Sequence, residues 1–283
     1  MEKEFRSYNV KMVETPTTIE VWEYIDEAVF YSVKLDTKSK CEEEKIIDNQ
    51  IETNIETNVA NKEYDALKRK QKHYNEMRWI VARIVDCNFD DNTKFMTLTF
   101  KENIQDITYT NYEFNKFIKR LNFYLYHEKK QRLKYLAVWE NQKRGAIHYH
   151  IIFFDFPFIK TKKLEEIWGH GFVKINKIDV DSKENRGRYV SKYFSKDIDM
   201  KNYKQKAFFK SRNLIMPKTT KTTSRELLDF SNENVVYTKT YTRKVPKYYD
   251  TYYSDENGIR CTEGVVRYTK IRKDSIYDYG NKK

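Results

Sequence analysis

The stretch that decides the fold runs from Leu133 to Phe154 and reads LKYLAVWENQKRGAIHYHIIFF. Apolar residues recur at every second position on both sides of a short polar turn that contains Gly145, which is the pattern of a β-hairpin. Side chains two residues apart lie on the same face of a strand. The hairpin therefore places His148 and His150 side by side on one surface.

The register of this hairpin brings a carboxylate to the two histidines. If the turn is centred near Lys143 and Arg144, Glu140 lies directly across the ladder from His148. Opposed side chains on one face are roughly 5 Å apart at Cβ, a separation that suits a shared metal ion. Two imidazoles and one carboxylate favour manganese or zinc, and magnesium less well. Three protein ligands leave coordination positions for a substrate, so the predicted site is catalytic rather than structural.

The segments around the hairpin predict an α+β fold. A strand is expected at KFMTLTF, a helix after a capping box formed by Thr110 and Glu113, a second helix from Lys162 to Trp168 and a strand from Gly171 to Ile178. This order is a split βαβ pattern, an antiparallel sheet with helices on one face. The opposite face is expected to meet a ligand and to carry the predicted metal ligands. His170 is interpreted as a turn residue rather than a fourth ligand.

Charge divides the chain into three parts. Residues 1–60 carry a net charge of −7 and the remainder +19, within a total of +12. We expect an N-terminal extension with an acidic linker at 1–60, a basic helix and the main domain at 61–215, and a basic C-terminal extension at 216–283. Such a basic chain favours a polyanionic partner. The basic residues expected to contact phosphates are Lys68, Arg69, Lys143, Arg144 and Arg188.

A second cluster follows the hairpin in the sequence YVSKYFSK. Residues 183–198 are expected to form a helix, in which Tyr189 and Tyr193 share a face, and Lys192 and Lys196 repeat the same spacing. A phenol has a pKa of about 10 and is a weak nucleophile near neutral pH. A neighbouring metal ion or ammonium group would be needed to activate it. Packing in a core is the alternative interpretation of two tyrosines at this spacing.

Several classes of protein are excluded by what the sequence lacks. Its 283 residues contain no apolar stretch of 18 residues, and MEKEFRSYNV lacks the layout of a signal peptide. The three cysteines are far apart and have no metal-binding spacing, which favours reduced thiols and a cytoplasmic location. The sequence also lacks a phosphate-binding loop, so a built-in helicase is not expected.

Three motifs occur together in one order: KFMTLTF, HYHII and YVSKYFSK. They resemble the motifs of the HUH endonucleases that initiate rolling-circle replication, and the doubled tyrosine resembles the phage-type group of these initiators. The wording KRGAIHYHIIFF, WGHGFVKINKI and YVSKYFSKD is similar to replication-associated proteins of Gram-positive plasmids and phages. The resemblance covers roughly residues 62–215 and implies a ferredoxin-like or RRM-like nuclease core.

The resemblance also implies roles for the two clusters. His148 and His150 would bind a divalent ion, expected to be manganese or magnesium, with Glu140 as the third ligand. Tyr189 or Tyr193 would attack a DNA phosphate and form a 5′-phosphotyrosine, and we prefer Tyr189 as the first nucleophile. Lys192 and Lys196 would steady the phosphate. The expected partners are single-stranded origin DNA and a host helicase and polymerase, with no membrane.

Two alternative functions stay open at this stage. A relaxase or a single-strand transposase of a mobile element would share the histidine pair. A binding module without chemistry would stack single-stranded bases on aromatic side chains of its sheet, but it gives no reason for Glu140, His148 and His150 to align.

Overall fold

The computed structural model describes residues 3–26, 28–34, 76–142, 144–178, 208–223, 234–249 and 258–273. Two compact units make up the chain, one joining Met1–Val59 to Lys218–Lys283 and the other formed by Ala60–Pro217. The described residues contain twelve strands and three helices, in the order β1 (Lys3–Tyr8), β2 (Val10–Glu14), β3 (Thr18–Tyr24), β4 (Val29–Lys34), α1 (76–88), β5 (Lys94–Thr99), α2 (Ile107–Tyr126), β6 (Lys134–Asn141), β7 (Ile147–Phe154), α3 (Thr161–Trp168), β8 (Val173–Lys177), β9 (Phe209–Lys210), β10 (Lys218–Thr222), β11 (Val235–Tyr249) and β12 (Gly258–Arg272).

The unit formed by Ala60–Pro217 contains a five-stranded antiparallel sheet in the order β8-β5-β7-β6-β9. Its elements follow one another as β5-α2-β6-β7-α3-β8, which is the split βαβ order of ferredoxin-like folds. The predicted α+β class with an antiparallel sheet is therefore confirmed. Strand β7, which carries both candidate histidines, is the central strand of the sheet.

The predicted hairpin forms with the predicted register. Glu140 is paired with His148, and Asn141 with Ile147 closes the ladder. In the turn, the Gly145 amide donates to the Gln142 carbonyl at 2.8 Å, and Gly145 has a φ of +89°. That left-handed conformation is costly for residues with a Cβ. The glycine thus fixes the turn length, and the turn length fixes which residue faces His148.

One face of this sheet packs on α2 and α3. Phe114, Phe117 and Leu121 of α2 meet the inward residues of β5, β6 and β7 in a buried apolar cluster. Phe114 lies parallel to Tyr149 with ring centroids 4.6 Å apart, and the Tyr149 hydroxyl donates to Asn111 Oδ1. This packing turns the alternate residues of β7, His148 and His150, to the other face.

The other face is partly covered as well, which differs from the sequence-based expectation of an open surface. Val81, Ile84 and Val85 of α1 pack in a second buried cluster whose sheet residues are Leu136, Val138, Ile152 and Phe154. The physical reason lies in β7, where Ile151–Phe154 is apolar at four consecutive positions and requires burial on both faces. Helix α1 covers this part of the face, and the polar end of β7 carries the histidines.

Helix α2 begins earlier than the predicted capping box. The Asp106 side chain caps the helix by accepting hydrogen bonds from the Thr108 and Tyr109 amides. Thr110, the predicted cap, is fully buried within the first turn, and its hydroxyl donates to the Ile107 carbonyl. The capping-box prediction is wrong, because a short aspartate cap four residues earlier satisfies the exposed helix amides.

The unit that joins the two ends of the chain is built on a second antiparallel sheet. Its strand order is β10-β2-β3-β12-β11, so strands from the two flanking segments alternate within one sheet. Strands β1 and β4 form a separate two-stranded ribbon. Cross-strand ion pairs join the segments, as in the Arg267 guanidinium, which donates to both Glu23 carboxylate oxygens at 2.6 and 2.7 Å. None of the described helices is both long and apolar enough to span a membrane.

Candidate metal centre

Glu140, His148 and His150 converge on the polar end of the main sheet. The Nε2 atoms of both histidines point at the same carboxylate oxygen, Glu140 Oε1, and the His150 distance is 2.6 Å. The ligand atoms of all three residues lie within 4.8 Å of one another, and no other such group occurs among the described residues. Strands β6 and β7 hold the three side chains in place without any loop. The predicted ligands therefore meet at one point.

Two residues that sequence reasoning did not assign support this group. Thr97 on β5 is paired with His150 across the ladder, and its hydroxyl lies 3.1 Å from His150 Nδ1. Phe95, two residues earlier on the same face, stacks on the His150 ring with centroids 5.4 Å apart. Contacts of this kind fix the orientation of a ligating imidazole. The alternation of KFMTLTF placed Thr97 and Thr99 on one face, but local patterns do not define the register between β5 and β7.

The environment of the group is half-buried rather than closed. Relative exposure is 13% for the His148 side chain, 14% for His150 and 17% for Glu140. The two imidazole rings contact each other with centroids 4.6 Å apart. Among the described residues, His148 Nδ1 is buried without a hydrogen-bond partner. Ring packing, rather than a second hydrogen bond, therefore holds His148.

Arg144 is the one predicted phosphate-binding residue that the structure describes. Its guanidinium donates to Gln142 Oε1 at 2.9 Å and to the Phe100 carbonyl at 2.7 Å. A longer contact of 3.4 Å reaches the Lys101 carbonyl. These bonds tie the hairpin turn to the segment after β5, beside Thr99. The predicted contact of Arg144 with DNA stays a prediction.

The other predicted site residues lie outside the described residues. They are the four residues of the second cluster and four of the five phosphate contacts, namely Tyr189, Tyr193, Lys192, Lys196, Lys68, Arg69, Lys143 and Arg188. Their roles, and the helix expected at 183–198, remain predictions.

His170 has a partner away from the metal ligands. Its Nε2 lies 2.9 Å from Oε2 of Glu113, a buried glutamate of α2 that also accepts from Lys116 Nζ at 2.9 Å. The segment after His170 reaches β5, since both the amide and the hydroxyl of Thr99 donate to the Phe172 carbonyl. The contact between His170 and Glu113 thus fixes a loop next to the strand that faces the histidines.

Glu113 gives the protein a predicted sensitivity to acid. Burial raises the pKa of its carboxyl, but hydrogen bonds from Lys116 and His170, together with their charges, outweigh burial and lower the pKa below its usual value. A lowered pKa contributes stability above the unfolded-state pKa, and this contribution is lost as pH falls through the folded-state pKa. We expect Glu113→Gln to cost about 2 kcal/mol at pH 7 and to flatten the decline in melting temperature between about pH 5 and pH 3.

Glu165→Gln is the matched control for this prediction. Glu165 lies on neighbouring α3, and its carboxylate has no ion-pair partner in the described part of the chain. Thermal unfolding followed by circular dichroism should show a large loss for Glu113→Gln and almost none for Glu165→Gln. Equal melting temperatures for the two variants at pH 7 would contradict the proposed role of Glu113.

Comparison with known proteins gives a family match for the part of the chain that holds this centre. Residues 93–198 match the model of the family described as replication-associated protein ORF2/gene II protein. The matched range contains Glu140, His148 and His150, and it also includes Tyr189 and Tyr193. No solved structure matches the chain.

A relative from Escherichia coli, described as phasyl DNA replicon protein arp, is 29% identical over 154 residues. The alignment covers 46% of this chain and 52% of that protein, so the chain spans about half the length of the relative. The family match and this relative together support a replication initiator, with a role in DNA replication.

Proposed function

We propose that the protein is a divalent-metal-dependent DNA nicking and strand-transfer enzyme that initiates rolling-circle replication. The observation that carries the proposal is the convergence of Glu140, His148 and His150 on one point of the sheet. The match to a replication-associated family over the same residues supports the choice of substrate. The HUH type of endonuclease is part of the proposal, because its histidine pair and third polar ligand correspond to these positions.

The residues present fit a divalent cation, manganese or magnesium in this proposal. They offer two imidazole nitrogens and a carboxylate oxygen, and Glu140 brings negative charge to a half-buried position. For Nε2 of His150 to be a ligand, its proton must sit on Nδ1, where Thr97 Oγ1 can accept it at 3.1 Å. A cation held by these three residues would withdraw charge from the scissile phosphate and make its phosphorus more electrophilic.

Tyr189 or Tyr193 is the nucleophile in this mechanism. The phenol loses its proton, and its oxygen forms a bond to phosphorus while the bond to the 3′-oxygen breaks. The products are a 5′-phosphotyrosine and a free 3′-OH, which primes synthesis by a host polymerase after a host helicase opens the duplex. Lys192 and Lys196 offset the charge that develops on the phosphate. Because the phosphodiester energy is kept in the tyrosine linkage, a later 3′-OH can reverse the step and rejoin the strand.

Covalent capture tests this proposal. Full-length protein is incubated with a labelled single-stranded DNA from its own replication origin and manganese, then separated on a denaturing gel. We expect a labelled protein band for the wild type and none for the double variant Tyr189→Phe/Tyr193→Phe, because phenylalanine lacks the attacking oxygen. Tyr124→Phe on α2, an exposed tyrosine outside the candidate site, is the control and should retain the band. A band of wild-type intensity in the double variant would overturn the mechanism.

A further inference from the structure

The second sheet, outside the family match, presents a row of aromatic and basic side chains across its strands. The registers place Lys239 of β11 opposite Tyr268 of β12, Tyr268 opposite Trp22 of β3, and Trp22 opposite Lys11 of β2. Residues paired in this way lie on one face of a sheet, with strands about 4.8 Å apart. The row is therefore basic at both ends and aromatic in its centre.

The rings of this row form a continuous aromatic strip. Trp22 and Tyr268 have ring centroids 5.1 Å apart, and Tyr237 of β11 adds a third ring 6.1 Å from Tyr268. The Tyr268 hydroxyl donates to Glu20 Oε1 at 2.6 Å, which holds the central ring in place. Glu20 itself is 5% exposed, so its charge is used within the sheet. The strip is thus positioned before any ligand binds.

The outer part of the strip is open and positively charged. Tyr237 is 50% exposed, and strand β11 carries four basic residues and no acidic one. Within the described residues, exposed Lys239 has no ion-pair partner, in contrast to Arg267 on the opposite face, which is bound to Glu23. Strand β11 is also the edge of the sheet as described. A ligand can therefore reach this side of the row from solvent.

We propose that this row is a second DNA-binding surface that takes single-stranded DNA. Unpaired bases stack on aromatic rings whatever their sequence, and flanking lysines neutralise the phosphates between them. Bases in a duplex are already stacked on each other and cannot use the rings in this way. The strip of Tyr237, Tyr268 and Trp22 receives the bases, and Lys239 and Lys11 contact the backbone on either side. The surface would hold a displaced strand independently of the strand being cut.

The two faces of β11 supply a matched test. Tyr237 and Lys239 lie on the proposed face, whereas the exposed residues Thr238 and Lys244 lie on the other face of the same strand. Fluorescence anisotropy measures binding of the full-length chain to a labelled oligothymidine of about 12 nucleotides, within the usual site size of such surfaces, in EDTA so that cleavage does not contribute. We expect Tyr237→Ala to weaken binding about tenfold. Lys239→Ala should weaken it severalfold and reduce the salt slope by about 0.7, while Thr238→Ala and Lys244→Ala stay within about twofold of wild type.

Three results would overturn the proposal. Equal losses for Lys239→Ala and Lys244→Ala would mean that only overall charge matters. Unchanged binding in Tyr237→Ala would exclude stacking. Binding of a duplex of the same length that is as tight, and equally sensitive to Tyr237→Ala, would assign the surface to double-stranded DNA. A chain that forms no covalent adduct but shows the expected face-specific losses would overturn the proposed nicking activity alone, so the two failures are distinguishable.

Discussion

Replacing His148 or His150 by alanine is expected to reduce manganese affinity at least about 100-fold and to abolish covalent capture of DNA. Each substitution removes one of three ligands from a site in which all three donors already converge. Loss of a residue that only orients a ligand costs about 10- to 100-fold in metal affinity, so loss of a ligand itself should cost more. Glu140→Gln should have a similar effect, because it keeps the shape of the side chain and removes its charge. Isothermal titration calorimetry with manganese measures the affinities.

His127→Asn is the control for these variants. His127 is an exposed residue at the C-terminal cap of α2 with a φ of 53°, a conformation that asparagine tolerates. This variant should bind manganese as the wild type does. Circular dichroism should show a folded protein for every variant, since the three ligands are not part of the two apolar clusters of the main sheet. Manganese binding of wild-type strength in His148→Ala and His150→Ala would remove the metal from the mechanism.

Gly171→Ala is expected to disrupt the loop between α3 and β8. A Cβ at Gly171 would lie 2.5 Å from the Thr99 carbonyl oxygen and 2.7 Å from the Lys101 amide nitrogen, both backbone atoms. Backbone cannot rotate away as a flexible side chain can, so the end of β5 or the loop must move. We expect a loss of about 3 kcal/mol, which corresponds to a melting temperature roughly 6 to 12 °C lower. Thr99 is paired with His148, so the nicking rate should also fall.

Gly169→Ala separates the close approach from ordinary glycine effects. Gly169 also has a positive φ, +73°, but a Cβ there would come no closer than 3.9 Å to any atom. Its substitution should cost only the conformational strain, about 1 kcal/mol. Hydrogen–deuterium exchange should show faster exchange of the Thr99 and Lys101 amides in Gly171→Ala than in Gly169→Ala. Identical melting temperatures and exchange in the two variants would contradict the packing argument.

The hairpin was predictable from the sequence because its information is local. A period of two residues and a short turn with one glycine determine both the face of each side chain and the pairing of Glu140 with His148. The order of strands and helices in the main unit follows from similar local patterns. For this reason the candidate metal ligands could be named before their geometry was known.

Other features depend on contacts that local patterns do not encode. Thr97 supports His150 only because β5 pairs with β7 in one register, across 53 residues of chain. The pairing of β3 with β12 joins residues far apart in the chain, such as Glu23 and Arg267, which are separated by 244 positions. Charge and composition suggested two separate extensions, and neither reveals strands that alternate within one sheet. The aromatic row of the second sheet was therefore invisible in the sequence.

Mass spectrometry of the covalent product tests the central claim most directly. Wild-type protein is reacted with single-stranded origin DNA in manganese and, in parallel, in EDTA, then digested with nuclease and trypsin. The account predicts a nucleotide attached through its 5′-phosphate to Tyr189 or Tyr193 in manganese, and no modified peptide in EDTA. Cleaved DNA with free ends and no modified tyrosine peptide, or the same modification in EDTA, would contradict it.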